Sequence, residues 1–274
     1  MKKYASSLLD KIKIETRKKL NTEFIGNYKS AFKGNGILFD SVREYEYGDD
    51  IKAIDWNVSA RMDKLYIKEY VEERELNIVL MIDMSNSMNF GGERNKKEVL
   101  LEAVTLFLYL AQHNNDSITV VIFTDKAEVF FKPKKGRKFV LKTLNDIISY
   151  LPASRKTDIG KAVEFVQRTV KKRSIIFVLS DFLDEDYLLK LKRLRRKHDV
   201  IPVRIADDLE NNFSFFGLTQ FFDMESNEVV YAESIPVLDV NKLQGFDMIN
   251  LSTSETIENA VMKYFAKRKK MRVR

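Results

Sequence analysis

From Glu75 onward, short runs of aliphatic residues alternate with longer stretches whose apolar residues recur at helical spacing. A run such as "NIVLMI", Asn77 to Ile82, offers no polar face, so both sides of the strand it forms must be covered. Strands of this kind separated by amphipathic helices are the signature of an α/β fold: a mostly parallel sheet with helices on both faces.

The same reading places the elements. Strands are expected at Asn77 to Ile82, Ser117 to Phe123, Ser174 to Ser180 and Asp199 to Ile205, with a short hairpin partner at Ala127 to Phe131 across Asp125 and Lys126. Helices are expected at Lys96 to Gln112, Lys138 to Tyr150, from Thr157 or Asp158 onward, and at Asp184 to Lys197. The segment "GLTQFFDMESNEVVYA" reads as an edge hairpin or small β excursion around Glu225 to Asn227. Ser252 to Glu255 has capping-box spacing ahead of a closing helix.

The first quarter differs in pattern. Residues up to about 30 look helical and basic, and the following forty mix short strand patterns with a turn at Gly48-Asp49-Asp50. The expected organisation is an N-terminal helical and β appendage over residues 1–74 and the α/β domain over 75–274. No Pro/Gly/Ser linker marks the boundary, so the appendage is expected to pack on the sheet. Within it Trp56, the single tryptophan, is expected to anchor by apolar burial, with Arg43, Arg61 and Arg74 pairing acidic neighbours.

Composition narrows the chemistry. Among 274 residues there is no cysteine, which removes disulfides, thiolate metal sites and thiol nucleophiles and fits a reducing compartment. Asp10, Lys11 and Lys13 interrupt the N-terminus before an apolar leader can form, and the most apolar helical stretch, "VLLEAVTLFLYLA", contains Glu102 and is too short to span a bilayer. A cytoplasmic protein with no membrane segment is the expectation. The net charge of +7 raises a nucleic-acid-binding alternative, but the basic clusters at Lys190 to His198, Arg168 to Arg173 and Lys267 to Arg274 lack interleaved aromatics for stacking bases. No nucleic-acid partner is therefore expected.

The apolar run from Asn77 ends in Asp83, followed by Ser85 and Ser87, and the run from Ser174 ends in Asp181. In open α/β sheets, binding sites form outside the carboxyl ends of the strands. Thr157 lies in the loop before the helix that leads to the Asp181 strand, so five oxygen-bearing residues can converge there. Oxygen ligands without His or Cys select hard cations. The serines can instead simply cap the following turn.

The pattern Asp83-x-Ser85-x-Ser87 with Thr157 and Asp181 resembles the metal-ion-dependent adhesion site of von Willebrand factor A domains. The resemblance implies Mg²⁺, with Mn²⁺ or Ca²⁺ as alternatives. Ser85, Ser87 and Thr157 would touch the ion, while Asp83 and Asp181 would act through its bound waters. A site of this kind accepts an Asp or Glu from a protein partner.

A closer resemblance lies upstream. "REYEYGDDIKAIDWNVSARMDKLYIKEYVEERE", with "SDFLDE" and "RKHDVIPVRI" further on, resembles the bacterial domain-of-unknown-function family 58, which carries a von Willebrand A-like domain. The resemblance implies an adaptor that works with a MoxR-type AAA+ ATPase, or with its client, in chaperone-like maturation. It implies no enzyme activity. A phosphatase of the haloacid dehalogenase kind would need a second aspartate where Ser85 stands, and "KPKKGRKF" is not a phosphate-binding loop.

Overall fold

A computed structural model describes residues 20–32, 36–73, 75–92, 94–207, 219–222, 229–232, 243 and 245–272. In chain order the elements are α1 (Thr22–Ala31), β1 (Gly36–Glu44), α2 (Trp56–Met62), β2 (Tyr66–Glu73), β3 (Asn77–Asp83), α3 (Lys96–His113), β4 (Ser117–Phe123), β5 (Ala127–Lys134) and α4 (Arg137–Ile148). They continue with α5 (Ile159–Thr169), β6 (Ile175–Ser180), α6 (Leu188–Arg195), β7 (Asp199–Ala206), β8 (Thr219–Phe222), β9 (Val229–Ala232), β10 (Ile249–Ser252) and α7 (Ile257–Arg272). By their contacts they divide into two units: Phe32–Glu75, and the residues on either side of it.

The larger unit is built on a six-stranded sheet in the order β10-β7-β6-β3-β4-β5. All neighbours run parallel except β5, which returns antiparallel along β4. Counted along the chain, the spatial order is 3-2-1-4-5-6, which reverses between β3 and β6. The connections leaving these two strands run to opposite faces of the sheet, the arrangement beside which open α/β sheets place their binding sites.

Both sheet faces are covered, as the continuous apolar runs require. Val79, Met81, Ile176 and Val178 pack against Val163 of α5 and Leu191 of α6. On the opposite face Phe177 stacks on Phe107 of α3, with centroids 4.3 Å apart. Helix α1 also belongs to this unit: Phe24 meets Phe265 of α7 edge-on at 5.8 Å, and Tyr28 donates a 2.9 Å bond to Asp116. Asp116 in turn accepts the Leu76 amide at 3.0 Å, so it fixes the entry into β3.

Three local departures have physical causes. Helix α6 starts at Leu188 rather than Asp184, because the Asp184 carboxylate accepts the amide of Ile159 at 2.7 Å and Asp186 adopts a left-handed φ of 59°. Ser252 does not open a capping box; it closes β10, a four-residue strand absent from the sequence reading, and α7 begins at Ile257. The hairpin of β8 and β9 is a separate two-stranded sheet, and its expected turn at Glu225 to Asn227 lies outside the described residues.

The smaller unit pairs β1 with β2 antiparallel, with a bulge between Phe39 and Ser41. Between the strands, Gly48 turns with φ 111°, Asp50 caps a short 3₁₀ turn at Ile51–Ala53, and Asp55 caps α2 by accepting the amides of Asn57 and Val58. Helix α2 is absent from the sequence reading. Trp56 does not anchor the unit: it is 64% exposed, at the first position of a two-turn helix whose buried residue is Ser59. Arg43 does pair, holding Asp49 through two bonds of 2.8 and 2.7 Å and Glu69 at 3.0 Å. Arg61 is exposed, and Arg74 lies outside the described residues.

Candidate metal centre

The site is assembled by the ends of β3 and β6. Asp83 is fully buried at the last rung of β3, level with Phe123 of β4. Its Oδ1 accepts the Ser85 amide at 2.9 Å, which bends the chain over the strand end, and its Oδ2 accepts the Ser180 hydroxyl at 2.6 Å. That second bond ties β3 to β6 through side chains just beyond their last backbone pair. Ser85 and Ser87 then present their hydroxyl oxygens 3.1 Å apart.

Asp181 follows β6 directly and is buried. Its Oδ1 accepts the Leu183 amide at 3.3 Å, and its Oδ2 meets Nζ of Lys96 at 2.8 Å. Both of these side chains are 1% exposed, so the ion pair is dry. Lys96 is the first residue of α3, capped by Asn95, and its ammonium also lies 5.5 Å from the centre of the Phe90 ring. Gly91 makes this turn possible, with φ 138° and a position where a Cβ would sit 2.6 Å from Asn95 Cα.

Thr157 arrives on a loop held at several points. Asn86 donates to the Arg155 carbonyl at 3.0 Å, and Asp158 donates to the Thr124 carbonyl at 3.0 Å and caps α5. Glu128 of β5 accepts the amides of Ala153 and Ser154 at 2.9 and 3.3 Å, together with the hydroxyls of Thr124 and Tyr150. The half-buried Thr157 thus lies between the anchored Arg155 and Asp158, beside the loop that carries the two serines.

Electrostatics at this rim are unbalanced. Burial, and then the charge of Asp181, push the Asp83 carboxyl up to about 7, against the opposing hydrogen bonds from Ser180 and Ser85. A carboxylate taken out of water beside another carries a raised cost of ionising, as Asp83 does, and a cation beside it relieves that cost. The donor set is hydroxyl and carboxylate oxygen; among the described residues no three His, Asp or Glu side chains converge into a ligand cluster. The residues present therefore fit a small hard dication and suit neither zinc nor copper.

Sequence reasoning named the five oxygen-bearing residues but missed Lys96, Ser180 and Glu128. A signal for Lys96 was present: with Val99, Leu100 and Ala103 at spacings of three, four and seven, it lies on the apolar stripe of α3, where a lysine needs a buried partner.

A mostly parallel sheet in this order, covered on both faces and with one antiparallel edge strand, defines a doubly wound α/β domain. The chain belongs to the family described as "Protein of unknown function DUF58", whose model matches residues 41–236. It is 24% identical over 228 residues to the uncharacterized protein Rv1480 of Mycobacterium tuberculosis, covering 82% of this chain and 72% of that protein.

Among solved structures, an aerotolerance-related membrane protein from Bacteroides fragilis is similar in fold, with a TM-score of 0.52 and 14% identity over 72% of this chain and 99% of that one. The SpRpn10 VWA domain aligns at a TM-score of 0.44 and 10% identity, covering 69% and 94% of the two chains. Among the described residues of the present chain, no helix is long and apolar enough to cross a membrane.

Proposed function

We propose that the rim formed by Asp83, Ser85, Ser87, Thr157 and Asp181 binds Mg²⁺ and, through it, an Asp or Glu of a protein partner. The observation that supports this most is the juxtaposition of a buried strand-end carboxylate with a pair of serine hydroxyls 3.1 Å apart at the point where the strand order reverses. Neutral hydroxyls leave most of a dication's charge unspent, so an external carboxylate completes its shell. The chain's own residues supply position and charge. Ser85, Ser87 and Thr157 would face the ion, and Asp83 and Asp181 would hold its waters. Nothing in this donor set offers a nucleophile with an adjacent base, which favours binding over catalysis.

On this reading the chain is a cytoplasmic adaptor for a MoxR-type AAA+ ATPase or its client, acting in chaperone-like maturation. Mn²⁺ binding followed by electron paramagnetic resonance, and capture of the ATPase in Mg²⁺ or EDTA, test it together. Wild type should take up one Mn²⁺ and hold the ATPase in Mg²⁺ alone, while folded Asp83→Ala and Thr157→Ala should do neither. Equal Mn²⁺ uptake by folded Asp83→Ala, or capture unaffected by EDTA, would overturn the metal bridge.

A further inference from the structure

The Lys96 ammonium is a second cation built into the rim. It lies 2.8 Å from Asp181, both side chains are 1% exposed, and it sits at the first position of α3, where the Phe90 carbonyl accepts its backbone amide at 2.9 Å. A lysine at the start of a helix normally extends into water, and the dipole of that helix end disfavours a positive charge. Here the fold instead turns through Gly91 and Asn95 to place the ammonium inside. The buried ionisable groups at this rim are therefore two carboxyls, both ionised once a dication is bound, and one ammonium.

A dication added to two carboxylates alone gives a neutral cluster with no net pull on a further anion. The same dication added to two carboxylates and an ammonium leaves one positive charge, in a setting where water screens little. We infer that Lys96 couples the two ligands of this site: it weakens binding of the metal alone and strengthens binding of an external carboxylate to the metal-loaded rim. Metal and partner then load together, each raising the other's affinity by the same factor, as linkage requires. This rests on the metal reading above and adds to it a role for a residue outside the ligand set.

Mn²⁺ titration of the full chain, with and without acetate as a monocarboxylate probe, tests the coupling in wild type, Lys96→Gln and Lys96→Arg. Lys96→Gln removes the charge while keeping a donor for Asp181, and Lys96→Arg keeps the charge; circular dichroism establishes that each is folded. In the absence of acetate, Lys96→Gln should bind Mn²⁺ about tenfold or more tightly than wild type, since one unit charge acts on a dication at short range. Acetate should tighten Mn²⁺ binding in wild type and Lys96→Arg and have little effect in Lys96→Gln. Mn²⁺ bound by wild type with an affinity that Lys96→Gln leaves unchanged or weakens overturns the coupling and leaves the metal site standing. No Mn²⁺ uptake by wild type overturns both. Should Lys96→Gln fail to fold, the acetate effect on wild type decides: Mn²⁺ affinity indifferent to acetate overturns the coupling.

Discussion

Two ion pairs in this protein have nearly the same length and opposite surroundings. In the smaller unit Arg43 holds Asp49 at 2.7 Å, with side chains 38% and 19% exposed; in the α/β unit Lys96 holds Asp181 at 2.8 Å, with both 1% exposed. Geometry alone would rate the Arg43 pair the better, because its guanidinium grips the carboxylate with two bonds. Surroundings reverse the order. Water screens the first pair and can replace either partner, whereas neither member of the second has anywhere to go.

Removing one partner from each pair gives the widest separation. In EDTA, Lys96→Met should lose about 3–5 kcal/mol in urea unfolding, the cost of abandoning a buried carboxylate, and Lys96→Met combined with Asp181→Asn should recover much of it. Arg43→Ala should shift the midpoint far less. An equal loss in the two variants would mean that burial does not set the difference. Between them falls Asp116→Ala, which strands the Tyr28 hydroxyl and the Leu76 amide without their acceptor; it should cost about 1–3 kcal/mol by the same measurement.

Acid should separate the regions in order. Burial, and then Lys197, hold His198 below its usual pKa of 6.5, and neither ring nitrogen has a hydrogen-bond partner among the described residues. The unfolded chain therefore binds the extra proton first, and stability that is complete above about pH 6.5 declines as pH falls toward the native value. Asp49 is the opposite case in cause: Arg43 lowers its carboxyl below 3.8, so its contribution persists down to that pH and is lost only below it. In EDTA, Asp83, pushed up to about 7, takes a proton in the native state over the same range and adds stability as pH falls, so the His198 effect is read as a difference: from pH 7 to 5 the urea midpoint of His198→Leu should gain on that of wild type, while Asp49→Asn should leave the wild-type slope unchanged.

The smallest effect concerns Trp56. At 64% exposure, Trp56→Phe should change stability by no more than about 0.5 kcal/mol, and the wild-type fluorescence should be red-shifted and open to iodide quenching. Shielded, blue-shifted emission would contradict the exposed placement.

The contrast between the units also explains what could be read from the sequence. Fully buried strands are written as continuous apolar runs, so β3, β4, β6 and β7 were visible within a residue or so, as were the carboxylates that end two of them. Among the side chains described in the smaller unit few large ones are buried, Ile54 and Ile67 among them, and caps and ion pairs such as Asp55 on α2 shape its turns. Such contacts leave no periodicity, so α2 went unseen and Trp56 was read as an anchor. Lys96 was legible as a buried lysine from its place on the apolar stripe of α3, but not its partner, because Asp181 lies 85 residues away. Helix α6 was drawn too long because nothing local shows that the Asp184 carboxylate turns away to accept the Ile159 amide of α5.

The position of β3 has a mechanical consequence. It lies between β4 and β6, parallel to both, and the serines follow immediately from its end. A tug on a ligand held at the rim would run along the strand axis and load both ladders in shear, with many rungs resisting at once instead of peeling in turn. The same bonds loaded from a sheet edge would open one after another. On the proposed reading, an attachment point at this place would make the domain a handle that withstands traction on its partner.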